Sequence, residues 1–209
     1  KENKCIAVMI EIVQGEGGVC PLDKEYVQQI REFTEKNDML MIVDEVQTGN
    51  GRSGQLYAYM NCDVVPDIVT TAKGLAGGLP LGAVLFGEKV KDIYTPGTHG
   101  STFGGNPVCS AAAISILDRI DEELLKEVRA KSDFIFKELI GADGVEDVSG
   151  MGLMIGITTV KPASDIVKEC MERGLLVLTA KDKVRLLPAL NIKWDELTEG
   201  INILKSVIA

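Results

Sequence analysis

Four apolar runs of strand length, separated by turns and helical patterns, constrain this chain more than any other feature. Cys5–Val13 is rich in Ile and Val, and Leu40–Val43 ends in Asp44-Glu45. Asp67–Ala72 ends at Lys73, and Leu81–Phe86 is the fourth run. Between the first two, Asp23 is placed to cap a helix whose Tyr26, Val27, Ile30 and Phe33 recur at helical spacing. Strands that are apolar at nearly every position belong in a sheet covered on both faces. An α/β unit with a parallel or mixed sheet is therefore expected. From Val108 to about Ile120 the sequence is Ala-rich and apolar almost all round, which predicts a buried helix.

The pattern changes after that. Glu122–Leu139 reads as an amphipathic helix, and glycines 141, 144, 150 and 152 punctuate the next stretch. Leu153–Thr158, Leu175–Leu178 and Val184–Leu187 are strand candidates, with helices near Ser164–Arg173 and Asp195–Val207 and Gly174 as a C-terminal cap. The expected division is a large α/β domain over 1–124 and a small α+β domain over 125–209. No internal repeat or low-complexity linker interrupts either.

Composition narrows the function classes. With 45% hydrophobic and 25% charged residues the chain can build a core, which argues against disorder. A net charge of −9 argues against nucleic acid, which is gripped by clustered Lys and Arg. No apolar run reaches the roughly 18 residues of a membrane helix. The cysteines at 5, 20, 62, 109 and 170 form no CxxC pair, and His99 is the single histidine, so zinc-ligand spacing is absent. Reduced, mostly buried thiols in a cytoplasmic protein are expected. Lys1-Glu2-Asn3-Lys4 leads straight into the first strand without a signal-peptide pattern, as in a chain cut from a longer one.

In open α/β sheets ligands bind beyond the carboxyl ends of the strands, where Asp44 and Lys73 stand. Lys73 precedes a Gly-rich turn, Gly74 to Pro80, and burial there would favour the neutral amine that Schiff-base chemistry needs. By itself such a lysine can equally be a solvated loop residue, and an acid after a strand is commonplace. Together they match the needs of pyridoxal phosphate: a lysine for the aldehyde and an acid for the pyridine nitrogen. Gly100-Ser101-Thr102-Phe103-Gly104-Gly105-Asn106-Pro107, followed by a helix, offers hydroxyl and backbone donors for a phosphate, or is simply a flexible connector. Gly49-Asn50-Gly51-Arg52-Ser53-Gly54 formally matches a dinucleotide-binding GxGxxG. No strand ends directly before it and the helix start after it is weak. A hydrolase would have to rest on His99 alone, without a nucleophile elbow.

The ordered stretches Glu11-Ile12-Val13-Gln14-Gly15-Glu16-Gly17-Gly18, Asp44-Glu45-Val46-Gln47-Thr48-Gly49, Ala72-Lys73-Gly74 and Gly97 to Pro107 resemble the class III aminotransferases. These are the pyridoxal-phosphate enzymes acting on acetylornithine, ornithine or 4-aminobutyrate. The last stretch and Val184-Arg185-Leu186-Leu187-Pro188 are most similar to the acetylornithine branch. The resemblance implies fold-type I architecture and transfer of an amino group from N-acetylornithine, or a related ω-amino donor, to 2-oxoglutarate, within arginine biosynthesis. Ornithine or 4-aminobutyrate as donor is the alternative.

The resemblance also implies residue roles. Lys73 would carry the cofactor and shuttle the proton, Asp44 would meet the pyridinium, Val46 would lie against the ring and Gln47 would approach its hydroxyl. Ser101 and Thr102 would bind phosphate, Thr102 that of the neighbouring subunit's cofactor, which implies a homodimer with shared sites. Glu16 would pair with Arg185, whose planar fork would receive the dicarboxylate once Glu16 moves aside. Ile12 stands where the family usually has proline. The family's main phosphate loop and ring-stacking aromatic come from an N-terminal half that this sequence does not include. The 209 residues alone are therefore expected to be inactive, or to serve only as an association module.

Overall fold

A computed structural model describes residues 5–209; the charged opening, Lys1–Lys4, lies outside the described residues. In chain order the elements are β1 (Ala7–Ile10), β2 (Val13–Gln14), β3 (Cys20–Pro21), α1 (Lys24–Lys36), β4 (Leu40–Asp44), β5 (Ile68–Thr71), β6 (Ala83–Phe86) and α2 (Pro107–Leu117). There follow α3 (Glu122–Leu139), β7 (Val145–Met151), β8 (Met154–Thr159), α4 (Ala163–Glu172), β9 (Leu178–Ala180), β10 (Lys183–Leu186) and α5 (Trp194–Ile208). They form two compact units. One comprises the chain up to Ile12, Leu22–Asn50 and Gln55–Asp121; the other comprises Val13–Pro21, Gly51–Gly54 and Glu122–Ala209. The sequence pattern suggests a single cut after residue 124. The second unit instead also recruits two short segments from the first third of the chain.

The first unit holds a four-stranded sheet in the order β1-β4-β5-β6. The first three strands are parallel and β6 is antiparallel to β5. Met41 and Val43 on β4 are fully buried, as the continuous apolar run requires. The run at Cys5–Val13 is not one strand, because the chain turns after β1 and Leu22 N–H closes on Ile12 O at 2.9 Å.

Helix α1 faces its unit with Val27 and Thr34, leaving Tyr26 and Phe33 exposed. The reason lies at Arg31, whose Nη1 donates to Asp67 Oδ2 at 2.8 Å while the Met41 amide donates to the same oxygen at 2.8 Å. That junction sets the rotation of α1 about its axis, so the 27–31–34 stripe faces inward rather than 26–30–33. Asp23 occupies the N-cap position, but its side chain makes no capping hydrogen bond. Helix α2 departs from expectation as well: Cys109 and Ala113 are buried, whereas Val108, Ile114 and Leu117 are exposed. Val84 and Leu85 on β6 are exposed too, so the sheet is not covered on both faces by the described residues.

The second unit is an antiparallel sheet, β7-β8-β10-β9, packed against α3, α4 and α5. Ile135, Leu139, Ile157, Ile166, Val184 and Leu204 centre its core. Strand β7 has no counterpart in the sequence reading: Val-Glu-Asp-Val-Ser-Gly-Met carries too little apolar alternation, and its register shifts at Val145/Asp147. The candidate strand at Leu175–Leu178 moves to β9, because Leu175 N–H is spent on Cys170 O at 2.9 Å, closing α4. A second small cluster, Val13, Val19, Met154 and Ala180, seats the β2–β3 hairpin. Segment 51–54 joins through Leu153 N–H, which donates to Arg52 O at 2.9 Å. Gly152 (φ +58) makes that approach possible, since a Cβ there would lie 2.3 Å from the same carbonyl oxygen.

Burial pushes the Asp67 pKa up, but Arg31 and the Met41 N–H outweigh it and hold the carboxyl below its ordinary value. Such a group contributes stability that is complete above the unfolded aspartate pKa of about 3.9 and is lost as pH falls toward the lower folded value. Denaturant melts at descending pH should show this loss below about pH 4. Asp67→Asn should flatten that part of the profile and cost about 3 kcal/mol at neutral pH, because it uncouples Arg31.

Candidate active site

The parallel register sets Asp44 opposite Thr70, at the carboxyl ends of β4 and β5, with Lys73 three residues beyond Thr70. Asp44 Oδ1 accepts from the Val46 amide at 2.9 Å and from the Thr70 hydroxyl at 3.0 Å. Its Oδ2 takes no hydrogen bond among the described residues. Nothing in the sequence singles out Thr70, because only strand pairing brings it to Asp44.

Lys73 opens a single 3-10 turn, Lys73–Ala76, at φ +49, in the left-handed region that a lysine rarely adopts. The turn is anchored by Leu75 and Ala76, which pack with Ala113 of α2. Asn50 Nδ2 donates to Ala72 O at 3.1 Å and to Thr71 Oγ1 at 3.2 Å, while its buried Oδ1 has no partner. Lys73 is exposed, against the burial expected from the sequence, and its ammonium makes no hydrogen bond or ion pair among the described residues. Strained backbone held by packing, ending in an unengaged side chain, is a recurrent feature of functional positions.

Val46 and Gln47 lie partly buried in the turn after Asp44. Ser101 and Thr102 are exposed in the loop before α2. Within that loop Tyr94 stacks on His99 (centroids 5.1 Å apart) and meets Phe86 edge-on (5.2 Å). The first amides of α2 are not spare donors. Asn106 Oδ1 caps Val108 N–H at 3.0 Å and Cys109 N–H at 3.2 Å, so an anion there depends on the Ser101 and Thr102 side of the loop.

Glu16 and Arg185 belong to the second unit and are joined there. Arg185 Nη1 donates to Glu16 Oε1 at 2.8 Å; the arginine side chain is 10% exposed and the glutamate 76%. The hairpin carrying Glu16 is tied down by Ser149 Oγ, which donates to Val19 O at 2.9 Å and accepts from Lys183 Nζ at 2.8 Å. Val19 sits at φ +52, a strained geometry for a β-branched residue. Arg185 Nε is buried without a partner, leaving one edge of the fork for another carboxylate. Arg52 is the residue here that sequence reasoning misses. Its guanidinium is pushed down to a pKa of about 10 by burial and donates to the Leu153 and Pro188 carbonyls at 3.1 and 2.5 Å. The glycine-rich stretch around it is visible only as a false dinucleotide pattern, and no helix opens within it.

These atoms fit pyridoxal phosphate on three counts: a primary amine without a competing partner, a carboxylate oxygen without one, and an orphaned buried amide oxygen beside the lysine.

The family profile described as Aminotransferase class-III matches residues 1–208. Acetylornithine aminotransferase of Haemophilus ducreyi is 45% identical over 210 residues, 100% of this chain and 53% of that protein. Its Bacillus subtilis namesake is 41% identical over 214 residues, covering 100% and 56%. The solved N-acetylornithine aminotransferase of Stenotrophomonas maltophilia superposes with a TM-score of 0.87 at 37% identity, covering 97% of this chain and 56% of that one. An ornithine aminotransferase of Toxoplasma gondii, described with PLP at its active site, gives 0.88 at 33% identity, covering 97% and 50%. The chain spans about half the length of the curated relatives it matches. Its mixed sheet and helices are those of the fold-type I enzymes, and the chain belongs to the class III aminotransferase family.

Proposed function

We propose that the protein transfers an amino group between N-acetylornithine, or a related ω-amino donor, and 2-oxoglutarate, with pyridoxal phosphate held at Lys73, as a step of arginine biosynthesis. The observation that carries this reading is the unengaged Lys73 amine beyond β5, beside the strand that ends in the half-engaged Asp44. When bound, the cofactor supplies an electron sink for the substrate carbon that loses its proton. Lys73 would hold the cofactor by its aldehyde and, once free, carry the proton that the substrate carbon loses. Asp44 would face the ring nitrogen with Oδ2, Val46 and Gln47 would border the ring, and Ser101 and Thr102 would serve the phosphate. Arg185 orients the acidic substrate's carboxylate by a two-point hydrogen bond, and Glu16 covers that charge when the amine donor occupies the site. The exposed Glu16 leaves the pair at little desolvation cost, whereas buried Arg185 stays in place.

The relatives named for acetylornithine reach higher identity than the neighbours named for ornithine, which supports N-acetylornithine as donor over ornithine. A homodimer in the cytoplasm completes the reading. Exposed Val84, Tyr94, Phe103, Val108 and Ile114 support the dimer, and five free thiols support a reducing compartment. The 209 residues alone should turn over weakly at best, since the α2 amides are already capped and few phosphate donors remain.

Borohydride reduction of the loaded protein followed by peptide mapping should place the pyridoxyl label on Lys73; a label on Lys89 or Lys91 defeats the assignment. Arg185→Leu should raise the KM for 2-oxoglutarate by about 30-fold or more, the equivalent of roughly 2 kcal/mol, with far less effect on the amine donor. Equal losses for both substrates would remove Glu16 and Arg185 from the reading.

A further inference from the structure

Glu45 follows Asp44 and is wholly buried, yet none of the roles above uses it. It has no basic partner among the described residues and is satisfied by neutral donors. Thr48 Oγ1 donates to Oε2 at 2.5 Å, the Tyr59 amide donates to Oε1 at 2.9 Å, and the Ala58 amide bonds to the same carboxyl. Its own amide donates to Thr70 O at 2.8 Å, and its carbonyl accepts from the Gly49 amide at 2.9 Å. A Cβ at Gly49 would lie 2.7 Å from that carbonyl oxygen and 2.9 Å from the Tyr57 ring, so the turn has no slack. Burial raises the Glu45 pKa; its donors pull the other way, and Asp44 adds to the rise. A carboxyl in this place is a costly way to fill space, because an apolar side chain would need no donors at all.

The carboxyl bears on Asp44 through the turn. Thr48 and the Tyr59 amide hold it, and Val46, which donates to Asp44, lies inside the turn so pinned. The Glu45 main-chain amide adds a second link, since it donates to the carbonyl of Thr70, whose hydroxyl donates to Asp44. We propose that Glu45 is a positioning residue: held by Thr48 and the Tyr59 amide, it fixes the direction in which Asp44 presents Oδ2 to the cofactor ring. This rests on the reading of Asp44 as the ring's partner.

The test compares Glu45→Leu, Glu45→Gln and Thr48→Val in the intact protein. Three quantities are read: the Kd for pyridoxal phosphate, the pH midpoint of its visible absorbance band, and the unfolding temperature of the cofactor-free protein. The other titratable groups around Glu45 are Asp44, Tyr57, Tyr59 and Cys62, and all variants share them. Glu45→Leu should weaken cofactor binding about tenfold and move the midpoint by about half a pH unit or more. Glu45→Gln, which can accept from Tyr59 and donate to Thr48, should bring both back toward wild type. Thr48→Val should give a smaller shift in the same direction, and it decides the question if Glu45→Leu does not fold. An unmoved midpoint in a folded Glu45→Leu or Thr48→Val protein, whatever its unfolding temperature, overturns the proposal in favour of a purely structural role. Wild-type protein that fails to take the cofactor at Lys73 overturns the underlying reading, and the inference with it.

Discussion

Parallel pairing between β4 and β5 places Asp44 against Thr70, and the arrangement of the first unit depends on that register. A slip of one residue would turn Asp44 to the other face of the sheet and exchange Met41 and Val43 with their half-exposed neighbours. Burial of those two side chains therefore secures the register, and the register in turn aims the carboxylate. The Arg31–Asp67–Met41 junction works at the opposite end of the same ladder, joining α1 to β4 just where β5 begins. Apolar burial and one ionic junction thus hold the two ends of the strand pair.

The second unit solves a different problem. Its candidate site is a buried guanidinium opposite an exposed carboxylate. Arg185 is fixed by the antiparallel ladders on both sides of β10, pairing with Gly156 and with Leu178. Glu16 comes from a hairpin of two-residue strands, held by a small apolar cluster and by Ser149. An anchored cation facing an easily displaced anion is suited to exchange one carboxylate for another, because only the solvated partner has to move.

Much of this is legible in the sequence, and the remainder is hidden for physical reasons. Helix α3 and the strand positions of β4, β5 and β6 follow from local periodicity, which is dense there. Asp44 and Lys73 stand out because each ends an apolar run. Strand β7 is invisible: its ladder with β8 stabilises residues whose own pattern is polar. Thr70, Arg52 and Ser149 escape notice for one shared reason. Each acts through a partner distant in sequence, and spacing carries no trace of such a contact. Conversely, Val108, Ile114 and Leu117 of α2, and Tyr26 and Phe33 of α1, read as core-facing from their hydropathy, yet the described residues leave them exposed. Hydropathy reports what a surface would gain from cover, not whether cover is supplied by the same stretch of chain.

The recruitment of Val13–Pro21 into the second unit has a consequence for synthesis. Ser149, which holds the hairpin through Val19 O, lies 130 residues later in the chain. At roughly 5–20 residues per second, a ribosome needs on the order of ten seconds to make that interval. For all that time the hairpin has emerged while the sheet that receives it does not yet exist. Strands of two residues are too short to template pairing with other chains, so the delay is tolerable. The same separation means that the Glu16–Arg185 contact can form only once β10 has been made, long after Glu16 itself has emerged.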